Sequence, residues 1–195
     1  MRHLAQELGV VPMALYKHVA NKEDLLDGMV ENIVGEIAPE AAGPEWKHAV
    51  RQQILAARRA LLAHQWAREV IESRTKMTPN VLAYIDTMIG KLLAGGLSID
   101  LIHHAMHALD GRMWGFTQTL FEGPKPSEDP AELAIALHDM SERYPNVIAV
   151  VRAASHDDIS AVGTGCDDQF EFEFALDLLL DGIERLHLDG WSSRR

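Results

Sequence analysis

What this chain lacks narrows it first. Cys166 is its one cysteine, so no disulfide can close within the 195 residues, and a reducing cytoplasm fits. Its setting, GTGCDD, reads as an ordinary thiol in a glycine-rich loop. Long apolar runs are missing, none approaching the ~20 residues that span a bilayer. The opening MRHLAQEL has no apolar h-region of a secretory leader. These absences predict a cytoplasmic chain with no membrane partner. No nucleophile elbow, phosphate-binding loop or cysteine cluster occurs, so neither an enzyme nor a bound cofactor has support. Turn dipeptides between alternating strands are missing too, which points to an all-α fold.

The residues that are present have ordinary globular composition, 47% apolar and 24% charged, so disorder is not expected. The formal net charge of −11 is unevenly spread. Residues 1–22 carry Arg2, Lys17 and Lys22 against Glu7, whereas the remainder is strongly acidic. A basic tip on an acidic body can still meet phosphates, because fields are screened within about 8 Å. The acidic body argues against a generally sticky DNA binder.

Helical periodicity runs almost throughout. Residues 44–64 form a helix started by Pro44, with Trp46, Val50, Ile54, Ala57 and Leu61 on one face, and a shorter helix follows over 65–73. In 78–95, Val81, Tyr84, Ile85, Met88, Ile89, Leu92 and Leu93 mark a helical face; Thr78 and Pro79 begin it and Gly95-Gly96 end it. Ser98 caps a long helix reaching about Phe121. GPKPSEDP, 123–130, is a loop, then a helix spans about 131–143, and apolar residues continue past Pro145 to about Ala154. HDDISAVGTGCDD, 156–168, reads as a surface loop. The last helix spans about 168–188, although FEFEF alone would suggest a strand. One stripe on it is Phe172, Leu176, Leu179, Ile183 and Leu186; a second is Phe170, Phe174 and Leu178. A helix apolar on two sides is expected to be buried on two sides, against its own core and a partner subunit.

The N-terminus reads as a helix-turn-helix. Residues 1–8 are amphipathic, Gly9 supplies a left-handed turn, Pro12 opens a short helix through His18, and Asn21 caps a third helix with Asp24 three residues on. Tyr16, Lys17, His18 and Lys22 are clustered donors suited to phosphates. The chain thus divides into a small helical unit, 1–38, joined by APEAAGP to a larger one, 44–195.

The stretch MRHLAQELGVVPMALYKHVANKEDLLDGMVENI resembles the helix-turn-helix of TetR-family transcriptional repressors. LLAGGLSIDLIHHAMHALDGRMWGFTQTLF resembles that family's long eighth helix and FEFALDLLLDGIERL its last helix, so the likeness covers essentially the whole chain. By position, the resemblance implies that Arg2 reaches a base or phosphate. It implies that Pro12, Met13, Ala14, Lys17 and His18 face the major groove, with Tyr16 and Lys22 on phosphates. Met13 and Ala14 suit a thymine methyl; Lys17 and Arg2 suit guanine. Family members begin with a further helix that packs over the turn, and this sequence starts without it. Leu4, Leu8, Leu15 and Val19 would then lose a cover, which at ~25 cal/mol per Å² costs several kcal/mol.

The resemblance further implies a homodimer through helices 98–121 and 168–188. It implies two recognition helices about 34 Å apart on operator DNA, and release by a small-molecule inducer. The family's magnesium–tetracycline set is not kept: Ile71, Gln53, Ala57 and Met88 stand where the archetype has His, Asn, Phe and Gln. A pocket of Gln53, Ala57, Ile71, Tyr84, Met88, Met113, Trp114 and Thr117 is expected to favour an apolar or aromatic inducer. His103 and His107 share a helical face with Asp110, a spacing that can bind zinc, yet no HExxH glutamate accompanies them. They are read, with His104, as polar groups at a helix seam rather than a metal site. The expectation is a ligand-responsive repressor. The alternative is a dimeric small-molecule-binding module whose truncated head no longer binds DNA.

Overall fold

The computed structural model describes residues 1–37, 45–64, 66–115, 130–154 and 168–194. Among them it has ten helices and no strands. These are α1 Arg2–Glu7, α2 Pro12–Leu15, α3 Lys22–Gly35, α4 Trp46–Ala63, α5 Ala67–Glu72, α6 Pro79–Ala94, α7 Ile99–Gly115, α8 Pro130–Arg143, α9 Pro145–Ala154 and α10 Asp168–Leu188. The all-α expectation holds. The APEAAGP linker, Phe121, Thr117, Cys166 and nearly all of the two predicted loops lie outside the described residues.

Two compact units divide the chain. One comprises Met1–Trp114 with Leu178–Arg195, the other Gly115–Asp177. In the second, α8 packs against α9, where Ile148 is buried.

The first unit begins where the sequence places its turn. Gly9 has φ +65°, and Val10 N–H reaches back to Ala5 O at 2.9 Å, the bonding of a glycine-ended helix. Helix α2 is shorter than predicted, ending at Leu15. Lys17 and His18 continue as a turn whose N–H groups bond three residues back, to Ala14 O and Leu15 O, which tightens the chain out of α geometry. Asn21 caps α3 as expected: Asp24 N–H donates to Asn21 Oδ1 at 2.9 Å, and the Asp24 carboxylate accepts from Ala20 N–H at 2.9 Å.

The core of this unit comes from four helices. Val50, Ile54 and Ala57 of α4, Met88 and Leu92 of α6, Leu101, Ala105 and Leu109 of α7, and Leu180 and Ile183 of α10 are all buried. Full burial of each Leu or Ile adds about 1.5–3 kcal/mol of driving force. Lys47 joins α4 to α10 by contacting Asp181 at 2.5 Å and Glu184 at 2.7 Å. Along α10 the buried row is Phe172, Leu176, Leu180 and Ile183, so Leu180 takes the place expected of Leu179, and Leu186 is exposed. The spacing follows 3.6 residues per turn rather than a strict heptad.

The start of α6 departs from its local signal. Thr78 occupies the N-cap position with extended backbone, but its hydroxyl makes no capping bond and is buried with no partner among the described residues. Glu31 of α3 does the capping instead. Its carboxylate accepts from Asn80 N–H at 3.0 and 3.1 Å, and its carbonyl accepts from the Asn80 side-chain amide at 2.9 Å. A carboxylate at a helix N-terminus also meets the positive end of the helix dipole.

At its other end α6 meets α4. Trp46 lies against Gly95, where an added Cβ would fall 2.7 Å from the Trp46 Cβ and closer still to its ring. Gly95→Ala should therefore overpack this joint and lower stability by about 1–3 kcal/mol. Gly28→Ala meets no atom within 4 Å and should be neutral or stabilising, by up to ~1 kcal/mol. Urea unfolding of the two variants measures both; an unchanged midpoint for Gly95→Ala would show that the joint yields.

Candidate functional site

Two features of the first unit have the geometry of sites, and α3 links them. The first is the N-terminal face. Pro12, Met13, Tyr16, Lys17, His18, Lys22 and Arg2 are exposed, and Ala14 is half-buried. Met13, on the four-residue α2, is 70% exposed. Leu8 and Val11 are exposed beside it, whereas Leu15 and Val19 are half-buried. Among the described residues Arg2, Lys17 and Lys22 make no ion pair, and on α1 His3 lies 3.7 Å from Glu7.

The second is a cavity of about 310 Å³ walled by α3, α5, α6, α7 and the α5–α6 connection. Val30 and Val34 line one side, Ile71 and Met77 another, Tyr84 and Ile85 a third, and Asp110 of α7 reaches it from below. Its volume lies at the lower end of the ~300–1,000 Å³ typical of small-molecule sites. Arg74 and Lys76 are at its edge but are engaged elsewhere. Arg74 Nε donates to Asp27 Oδ1 at 2.7 Å, its Nη1 contacts Glu23, and Lys76 Nζ lies 3.3 Å from Asp27 Oδ2. The Arg74 hydrogen bond holds the buried Asp27 carboxyl below its usual range; burial opposes, and Lys76 assists. Below α3, Ile33 packs with Leu61, Ala67 and Ile71, so the same helix is seated on α4 and α5.

The predicted pocket residues separate. Ile71 and Tyr84 line the cavity. Met88 is buried behind it, in a small void shared with Ile54, Tyr84 and Asp110. Ala57 is wholly buried within α4. Gln53 is buried and spent on structure: its Nε2 donates to Tyr84 O at 3.4 Å and its Oε1 accepts from Lys91 Nζ. The side chains of Met113 and Trp114, and all of Thr117, lie outside the described residues. His103, His104 and His107 stack edge to face, with centroids 5.1 and 4.8 Å apart. Among the described residues no group of three His, Cys, Asp or Glu is arranged to hold a metal ion.

Sequence reasoning missed Asp110 as a cavity residue. It read this aspartate only as a possible companion to His107. The available signal was a carboxylate set directly after the buried Leu109 and four residues after Met106. Burial raises the Asp110 carboxyl, opposed by nearby His107. Burial also pushes the Tyr84 phenol well above its usual value, with the Asp110 charge adding to it.

Comparison with known proteins adds four findings. The profile of the family described as "Tetracyclin repressor-like, C-terminal domain" matches residues 38–187. An HTH-type transcriptional regulator of Saccharopolyspora erythraea is 35% identical over 97 residues, which is 49% of this chain and 41% of that protein. The chain therefore spans under half the length of that relative. The HTH-type transcriptional repressor DrrR1 of Streptomyces coeruleorubidus is 23% identical over 193 residues, 95% of this chain and 70% of that one. Among solved structures, the Streptomyces coelicolor TetR family protein ActR in complex with actinorhodin superposes with a TM-score of 0.69. It is 22% identical, over 95% of this chain and 86% of that one.

The two carboxylates should act oppositely on stability. Asp27, held low, stabilises fully above the ordinary carboxylate pKa of about 3.9, and that contribution is lost as pH falls through its lowered value. Asp27→Asn should lower the melting temperature at pH 7 and flatten the acid limb. Asp110, held high, favours its protonated form, so it costs stability as pH rises through its raised value. Asp110→Asn should raise the melting temperature at pH 7. Melting followed by circular dichroism from pH 3 to 8 checks both signs.

Proposed function

The chain belongs to the family of tetracycline-repressor-like transcriptional regulators, and from that premise we propose that it is a cytoplasmic, ligand-responsive repressor. It binds operator DNA as a homodimer and is released by a small apolar or aromatic inducer. One observation carries the reading: α3 is both the helix that follows the exposed α1–α2 turn and a wall of the cavity. In this reading a ligand that favours one seat of α3 over another biases the attitude of α2 through the six residues that join them. Two relatives support the two halves of this function: DrrR1 is a repressor, and ActR was crystallised with a small molecule, actinorhodin.

In this reading Pro12, Met13, Ala14, Lys17 and His18 face the major groove while Tyr16 and Lys22 hold phosphates and Arg2 reaches a base or phosphate from α1. The dimer forms through α7 and α10. Its support is a groove of about 690 Å³ between them, lined by Leu101, Ala105, Leu179, Ile183, Leu186 and the exposed Leu178. Charged side chains are scarce at its centre, as in obligate interfaces.

Two measurements test this. In fluorescence-anisotropy titration against the DNA flanking its own gene, Lys22→Ala should weaken binding roughly tenfold or more. It should also lower the slope of log K against log salt by about 1, as expected when one phosphate contact is lost. A dimer that binds no DNA at any salt concentration favours instead the ligand-binding module without operator recognition. For the interface, Leu178→Glu should convert the dimer to monomer in sedimentation velocity while leaving helicity unchanged; a native dimer that survives the charge places the interface elsewhere.

A further inference from the structure

Asp110 is the unmatched charge of the cavity. It is half-buried on α7 and makes no hydrogen bond or ion pair among the described residues. It lies where three hollows meet: the α3–α5–α6 cavity, the small void by Ile54 and Met88, and a groove of about 420 Å³ between α6 and α7. The cations nearest that cavity do not serve it, because Arg74 and Lys76 are balanced by Glu23 and Asp27. The titratable groups near it are His107, one turn earlier on α7, and Tyr84 of α6. Apart from Thr75, the other walls are apolar, among them Val30, Val34, Ile37, Val81 and Ile85. A carboxyl kept half from water without a partner is costly, and a ligand that supplies a charge-assisted donor recovers that cost.

We propose that the cavity takes a cationic inducer, an apolar or aromatic body carrying a protonated nitrogen, with Asp110 as its counter-charge. This deepens the ligand-responsive reading and rests on it. An anionic ligand of the same shape meets an uncompensated carboxylate and no free cation within the described wall. A neutral ligand gives Asp110 at most an ordinary hydrogen bond and leaves its charge uncompensated. Selectivity therefore comes from one residue, while the apolar walls supply affinity without regard to charge.

The experiment uses matched probes on the full chain. Benzyl, naphthylmethyl and anthracenylmethyl bodies are each offered as the amine, the alcohol and the carboxylate, and binding is read by isothermal titration calorimetry at pH 7.5. The native protein should bind the amine of the best-fitting body at least tenfold tighter than its alcohol, with the carboxylate weakest. In Asp110→Asn the amine should lose that tenfold advantage while the alcohol binds as before. Alcohols or carboxylates that equal the amines, or an amine preference that survives Asp110→Asn, would overturn the cationic inducer and leave the ligand-responsive reading standing. No binding by any probe would count against both. The native ranking alone decides the matter if the variant fails to fold.

Discussion

The packing of α4, α5 and α6 in the first unit depends on how α3 is held. Three kinds of contact hold it, and each comes from a different part of the sequence. Ile33 packs into the α4–α5 corner. Asp27 is clamped by Arg74 and Lys76 of the α5–α6 connection. Glu31 caps the first turn of α6. The apolar contact supplies the driving force but tolerates sliding, since hydrophobic burial has no direction. The two polar contacts fix the helix in rotation and along its axis, because charge-assisted hydrogen bonds are short and directional. The helix that follows the exposed turn is thus seated by groups that also border the cavity. Regulation by a ligand needs no separate transmission device.

Much of the fold was legible because its signals are local. Pro79, Gly95-Gly96 and the run from Val81 to Leu92 delimit α6 closely, and Asn21 with Asp24 marks the start of α3 without any tertiary information. The alternation FEFEF is overridden because Phe172 belongs to a buried row that continues through Leu176 and Leu180 at helical spacing. Thr78 does stand at the N-cap, but its side chain does not make the capping bond. A threonine before Pro-Asn is a standard capping signal, yet the bond is made by a glutamate 49 residues away from Asn80. No window along the sequence can contain that pair.

The site was less legible for the same reason. Gln53 was named by position in a family, and position does not reveal that Lys91 and the Tyr84 carbonyl occupy both ends of its amide. Asp110 looked like a member of a histidine row because periodicity lists neighbours on one helix. Its relation to Ile54, Tyr84 and Val30 is set by how α4, α6 and α3 cross. Burial and partner are joint properties of several helices, and these properties separate a structural amide from a ligand-recognising carboxyl.

A helix that takes its cap from a neighbour also becomes a gauge of that neighbour. The amide of Asn80 stays protected only while Glu31 is in reach, so the first turn of α6 carries a record of where α3 sits. Were α3 to swing by a few ångströms, that amide would lose its acceptor and exchange with solvent, while the amides in the middle of α6 would keep their own carbonyls. The position of a helix would then be readable as the exchange rate of one backbone proton on another, with no label and no knowledge of what occupies the cavity.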